Sequence, residues 1–147
     1  MELSQDFKEF IKLLNTHKAE YLVVGGYAVA MHGFPRATGD IDFWINPVAE
    51  NAQRIVDVLI DFGFGSLDIS VDDFTKKDNV VQLGYPPYRI DIITGVTGLN
   101  FDECFSARNE VDYEGEKINF ISLNHLKLNK QKTGRDKDNL DLKNLPD

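Results

Sequence analysis

The sequence predicts an α+β (α/β-like) fold, a mixed β-sheet with helices packed against it. Two observations carry this. Helical spacing of apolar residues alternates with short apolar runs in the order α-β-α-β-α, followed by strands and then helices. Glycine, proline and Asx residues punctuate those segments, and the chain has no repeats, low-complexity segments or linkers. With 147 residues, 42% of them hydrophobic, a single domain spanning 1–147 is expected to bury a sizeable core.

The elements follow in order. Ser4 is a candidate N-cap, and Phe7, Phe10, Ile11 and Leu14 repeat at helical spacing, giving a first helix to about Lys18. Tyr21 to Val24 reads as a short buried strand, and Tyr27 to His32 as a helix closed by Gly33. The loop from Phe34 to Gly39 leads into a strand from Asp40 to Ile45. Pro47 opens an amphipathic helix with Val48, Ile55, Val58, Leu59 and Phe62 as its stripe and Gly63 as its end.

From Phe64 to Asp78 the pattern weakens, with a short strand or turn around Leu67 to Val71. Asn79 to Leu83 and Tyr88 to Thr94 are strands separated by Gly84-Tyr85-Pro86-Pro87, and Phe101 to Ala107 is a helix. Val111 to Ile121 alternates around Glu114-Gly115-Glu116, a hairpin signal. Ser122 caps a helix to about Lys132, and a last short helix starts at Asp136 or Lys137 and ends before Pro146.

Chemistry concentrates at two places. Asp40 and Asp42 alternate with Ile41 and Phe43, so in a strand both carboxylates project from one face. Two carboxylates held close repel unless a cation lies between them, an arrangement that suits Mg²⁺ with its preference for oxygen ligands and substrate phosphates. Gly25-Gly26 follows a strand end, where the lack of Cβ atoms permits close approach to a phosphate and the next helix offers free N–H groups. Either motif alone is more often a turn or a solvated strand edge. In this order they point to metal-assisted phosphoryl or nucleotidyl transfer. A third acid, Asp91, interrupts the apolar run Ile90 to Ile93 and shares a face with Arg89. An acid there needs a partner. Either it is salt-bridged, or it lies beside Asp40 and Asp42, and three carboxylates suffice for two Mg²⁺ ions.

Composition narrows the field. The net charge of −8, from 24 acids and 16 bases, disfavours sequence-independent binding to a long polyanion while permitting a nucleotide, a cationic small molecule or an RNA end. Basic residues gather between Lys127 and Lys143. Cys104 is the only cysteine and reads as a core filler, and His17, His32 and His125 lack the spacing of a zinc site. No apolar run is long enough to span a bilayer, and the first residues lack a secretory signal, so the expectation is a cytoplasmic protein without membrane association.

Gly25-Gly26, Arg36-x-Thr38-x-Asp40-Ile41-Asp42 and the Asp91 strand together resemble the DNA polymerase beta-like nucleotidyltransferase superfamily. The similarity extends to small bacterial members, the abortive-infection-type toxin nucleotidyltransferases and the aminoglycoside or lincosamide nucleotidyltransferases. It covers Tyr21 to Ile45 and Tyr88 to Thr94. A weaker echo, in Lys130, Arg135 and Asp138 to Leu142, resembles the Lys…Arg-x-Lys-Asp…Asp-Leu ending of the toxin-like branch.

The resemblance implies that Gly25 and Gly26 hold nucleotide phosphates, that Asp40 and Asp42 ligate both metals, and that Asp91 ligates the second and helps activate an acceptor hydroxyl. Mg²⁺ is the implied cofactor, as two ions, with Mn²⁺ as a substitute. Arg36 and Thr38 either touch phosphate or anchor their loop. Lys130, on the apolar face of its helix, either reaches the triphosphate or snorkels to solvent. Arg135 either reaches it too or pairs with Asp136 or Asp138. Trp44, on the Asp42 face, either stacks on a base or packs in the core.

The implied reaction transfers a nucleoside monophosphate from an NTP such as ATP to the hydroxyl of a tRNA end, a protein or a small molecule. The toxin-like branch further implies a toxin–antitoxin role with a cognate antitoxin as partner. The alternatives are a catalytically silent nucleotide- or partner-binding module and an aminoglycoside or lincosamide nucleotidyltransferase.

Overall fold

The computed structural model describes residues 2–35 and 38–147. Ser4 caps α1 (Gln5–Thr16) by accepting from the Phe7 N–H, and Phe7, Phe10, Ile11 and Leu14 are all buried. β1 (Tyr21–Val24) is buried throughout. α2 (Gly25–Met31) starts at the glycine pair itself, two residues earlier than expected, and β2 (Ile41–Ile45) follows.

α3 (Ala49–Leu59) runs into a π-helical turn, Ile60–Phe64, where Gly63 takes φ +107° and breaks the helix. Val48, expected in the apolar stripe, is instead the N-cap and is half exposed. Of the short strand or turn expected around Leu67 to Val71, the strand does not form: the chain turns at 65–67 and a helix, α4 (Val71–Thr75), follows. Its start is fixed by a capping box in which the Asp73 side chain accepts from the Ser70 N–H. The remaining elements are β3 (Val80–Leu83), β4 (Ile90–Ile93), α5 (Phe101–Ser106), β5 (Asn109–Tyr113), β6 (Glu116–Phe120), α6 (Leu123–Thr133) and α7 (Asp136–Asn144).

The six strands form one mixed sheet in the order β3-β4-β2-β1-β6-β5. β1 is antiparallel to β2 and parallel to β6; β2 is parallel to β4; β3–β4 and β5–β6 are antiparallel pairs. Alternation along β2 sends Phe43 and Trp44 to opposite faces. Phe43 meets Phe10 of α1 at 5.4 Å between ring centroids, and Trp44 meets Phe101 of α5 at 5.3 Å, edge to face. Helices therefore cover both faces, and the α+β expectation holds. No helix among the described residues is long and apolar enough to cross a membrane.

Candidate active site

β2 supplies the centre of the site because it lies between β1 and β4. Its register puts Asp42 opposite Val24 on one side and opposite Asp91 on the other. Directly paired residues of adjacent strands point to the same face, so Asp42 and Asp91 lie side by side. Asp40, just before β2, joins them through a common partner. Arg89 donates from Nε to Asp91 Oδ1 at 2.7 Å and from Nη2 to Asp91 Oδ2 at 3.0 Å, and Nη2 also donates to Asp40 Oδ2 at 2.9 Å. Both sequence readings of Asp91 thus meet in one residue: it is salt-bridged, and it lies with the other two acids.

Burial pushes the Asp42 carboxyl up to about 7, helped by the Asp91 charge, a hydrogen bond shared with Asp91 and the Asp40 charge. The Lys137 ammonium pulls the other way. Asp42 therefore keeps its proton to a higher pH than an ordinary carboxylate does. Arg89 is kept cationic by its hydrogen bonds to Asp91 and by the surrounding carboxylates.

The glycine pair is fitted to this cluster. Gly25 takes φ +67°, and a Cβ on it would collide with Asp42 Oδ2. A Cβ on Gly26 would lie 2.8 Å from Thr38 Oγ1. The space a side chain would fill at Gly25 is thus taken by the carboxylate of Asp42, and the space at Gly26 by the hydroxyl of Thr38. Thr38 also donates to the Asp40 carbonyl at 3.4 Å, which ties its loop to the start of β2. Arg36, named by the sequence pattern, lies outside the described residues.

Asp40 and Asp42 line a cleft of about 740 Å³, and the buried Asp91 lies beside Asp42. Gly25, Gly26 and Thr38 also line it, and the α6–α7 region contributes Lys132, Arg135 and Lys137. The α6 side is held by Asn129 Nδ2, which donates to the Thr97 carbonyl at 3.2 Å, and by the Lys132 stem packed on Gly98. A volume of this size falls within the usual range for small-molecule and cofactor sites. A second groove of about 500 Å³, between α1 and the β5–β6 turn, contains none of these residues.

Lys130 does not snorkel, and its ammonium is held by protein carboxylates. It is 4% exposed and bridges Asp138 at 3.3 Å and Asp141 at 2.9 Å, both fully buried. Arg135 pairs with Asp138, Nε to Oδ2 at 2.8 Å, while most of its side chain remains exposed at the cleft. Burial would raise the Asp138 carboxyl, but donation from Arg135, Thr133 and the Arg135 N–H, with the Lys130 charge, holds it well below the usual carboxylate range. The freer cations facing the cleft are Lys132 and Lys137. Sequence reasoning gave neither a role, although Lys137 is the lysine of the Arg-x-Lys-Asp pattern and both lie in the basic run between Lys127 and Lys143. Trp44 is 2% exposed against Phe101, so it packs in the core.

Three oxygen-donor carboxylates on one sheet face are the donor chemistry a hard divalent cation takes. As the side chains stand, no three His, Cys, Asp or Glu groups among the described residues converge tightly enough to chelate one. Arg89 lies between Asp40 and Asp91 instead.

The family model described as nucleotidyltransferases of unknown function (DUF6036) matches residues 2–145. The chain belongs to this nucleotidyltransferase family. Its fold is similar to that of a candidate nucleotidyltransferase from Thermotoga maritima, with TM-score 0.63 and 19% identity over 93% of this chain and 88% of that one. It is also similar to the lincosamide antibiotic adenylyltransferase LnuA, solved with lincomycin bound, with TM-score 0.58 and 22% identity over 97% of this chain and 95% of that one. No curated protein matches the chain in sequence.

Proposed function

We propose that this nucleotidyltransferase moves a nucleoside monophosphate from an NTP to an acceptor hydroxyl, releasing pyrophosphate, with Asp40, Asp42 and Asp91 holding Mg²⁺ or Mn²⁺. The observation that carries the reading is that one cleft is lined both by the carboxylates Asp40 and Asp42 and by the cations Lys132, Arg135 and Lys137. A metal–triphosphate carries cationic and anionic parts side by side, and this cleft offers the complement of each.

A bound divalent ion would neutralise charge on the phosphates and leaving group. The chain's own groups supply the remainder. Lys132, Lys137 and the exposed part of Arg135 hold the triphosphate in line, Thr38 orients the loop before β2, and Asp91 takes the proton of the attacking hydroxyl. Catalysis then rests on positioning and charge complementarity rather than on a covalent intermediate.

The acceptor is a tRNA end, a protein side chain or a small molecule. The lincosamide acceptor in the name of LnuA and the net charge of −8, which attracts cations, support testing lincosamides and aminoglycosides. The Lys130…Arg135…Asp138 ending supports a toxin–antitoxin role in the cytoplasm, with a cognate antitoxin as partner. The deciding experiment incubates the protein and an Asp42→Asn variant with each α-labelled NTP and Mg²⁺, against bulk tRNA, protein extract and both antibiotic classes. Label transferred by the wild type and not by the variant supports the reading; no transfer to any acceptor overturns it.

A second reading, a nucleotide-binding module without turnover, is favoured by one observation. Arg89 stands between Asp40 and Asp91, so the acids are already satisfied by a protein cation. Calorimetric NTP binding with no label transfer would select it.

A further inference from the structure

Arg89 engages Asp91 with two nitrogens and Asp40 with one, which makes it the shared partner of two of the three acids. Its side chain is one quarter exposed, Asp91 is buried, and Asp40 is partly open to solvent. Three carboxylates gathered at one site would otherwise repel one another. A guanidinium provides a planar fork that satisfies two carboxylates at once and does not lose its proton.

We propose that Arg89 is the resident counter-cation of the acid cluster: it keeps the three carboxylates assembled without metal, and it must give up its contact with Asp40 when a divalent ion enters. This rests on the reading of the acids as a metal site. It assigns Arg89 a positioning role that opposes metal affinity while supporting the fold.

Two consequences separate this role from an ordinary structural salt bridge. Removing the charge while keeping the stem, as in Arg89→Met, exposes the acids to mutual repulsion, so the metal-free protein melts at a lower temperature. The same change removes a unit positive charge a few ångströms from the cation position, so the affinity for Mn²⁺ alone, without nucleotide, rises at least about fivefold. A structural role predicts that affinity stays level or falls, because loosened acids make a poorer ligand set. Arg89→Lys keeps the charge and loses the fork, so its Mn²⁺ affinity remains near the wild-type value.

The test measures Mn²⁺ binding by calorimetry, together with metal-free melting, for wild type, Arg89→Met and Arg89→Lys. Tighter Mn²⁺ binding by a less stable Arg89→Met variant, with Arg89→Lys near wild type, is the expected result. Unchanged or weaker binding by Arg89→Met overturns the proposal while leaving the metal site intact. Absence of Mn²⁺ binding in all three proteins overturns the metal site and the proposal with it.

If Arg89→Met does not fold, the wild type still decides the matter. The Arg89 Nε–H, hydrogen-bonded to Asp91, gives its own proton–nitrogen resonance, which is expected to move on titration with Mg²⁺. A resonance that stays fixed while the backbone amides of Asp40 and Asp42 respond means that Arg89 does not yield to the metal.

Discussion

Asp42 and Asp91 occupy directly paired positions on the parallel strands β2 and β4, so the two carboxylates lie side by side on one face of the sheet. That relationship brings residues 49 positions apart in the sequence (91 − 42) into one cluster.

The pair gives the metal-free protein a defined pH response. Burial and the neighbouring carboxylates push Asp42 up to about 7 in the folded protein, well above the ordinary carboxylate range. Its folded value is raised, so the native state binds the extra proton, and stability falls as pH rises from about 4 to about 7. Melting temperatures taken across that range without divalent ions should decline, and Asp42→Asn should flatten the decline and melt higher than wild type above pH 7. A flat wild-type profile would remove the raised titration of Asp42.

Lys130 separates architecture from phosphate binding. Lys130→Met removes a buried cation that two buried carboxylates share, and breaking a buried pair in this way typically costs about 3–5 kcal/mol, enough to lower Tm by roughly 10 °C or more. Lys132→Met and Lys137→Met should leave Tm within a degree or two of wild type and weaken NTP binding instead. Calorimetry and thermal melting on the three variants give the comparison. A stable Lys130→Met protein with weakened NTP binding would return Lys130 to the triphosphate.

Gly25→Ala meets two obstacles, a positive φ and the Asp42 carboxylate. In an Asp42→Ala background only the backbone strain remains, about 1 kcal/mol. A double-mutant cycle by chemical denaturation should therefore show Gly25→Ala costing at least about 1 kcal/mol less in that background than in wild type. Equal costs would mean that the carboxylate does not occupy the Cβ position.

Gly26→Val tests the second glycine by a different readout. The added side chain would press on Thr38 Oγ1 and its methyl, moving the loop that donates to the Asp40 carbonyl. The folded variant should bind NTP more weakly, and unchanged affinity by calorimetry would exclude the loop from the nucleotide seat.

Several of these features were legible in the chain and others were not. Asp40 and Asp42 were legible because strand alternation is local, and Ser4, Ser122 and the Glu114–Gly115 turn because caps and turns are written in a few adjacent residues. The contact of Asp42 with Asp91 needed the strand order, which no local pattern contains. Lys130 shows the complementary failure. Helical spacing put it on the inward face, but its partners, Asp138 and Asp141, lie on the next helix, and only tertiary packing reveals that the inward face is ionic. α4 was readable in principle from Ser70 and Asp73, whose spacing is that of a capping box, but the segment's weak hydrophobic pattern obscured it.

All six strands precede Ser122, whereas the basic side of the cleft comes from α6 and α7. The carboxylates therefore come from the sheet, and the cations of the cleft from a separate helical pair. The Lys130–Asp138–Asp141 contact joins α6 to α7 within a single stretch of twelve residues, from 130 to 141. The anion-attracting part of the cleft is thus a locally assembled unit, braced by its own buried ion pairs rather than by the sheet that carries the acids.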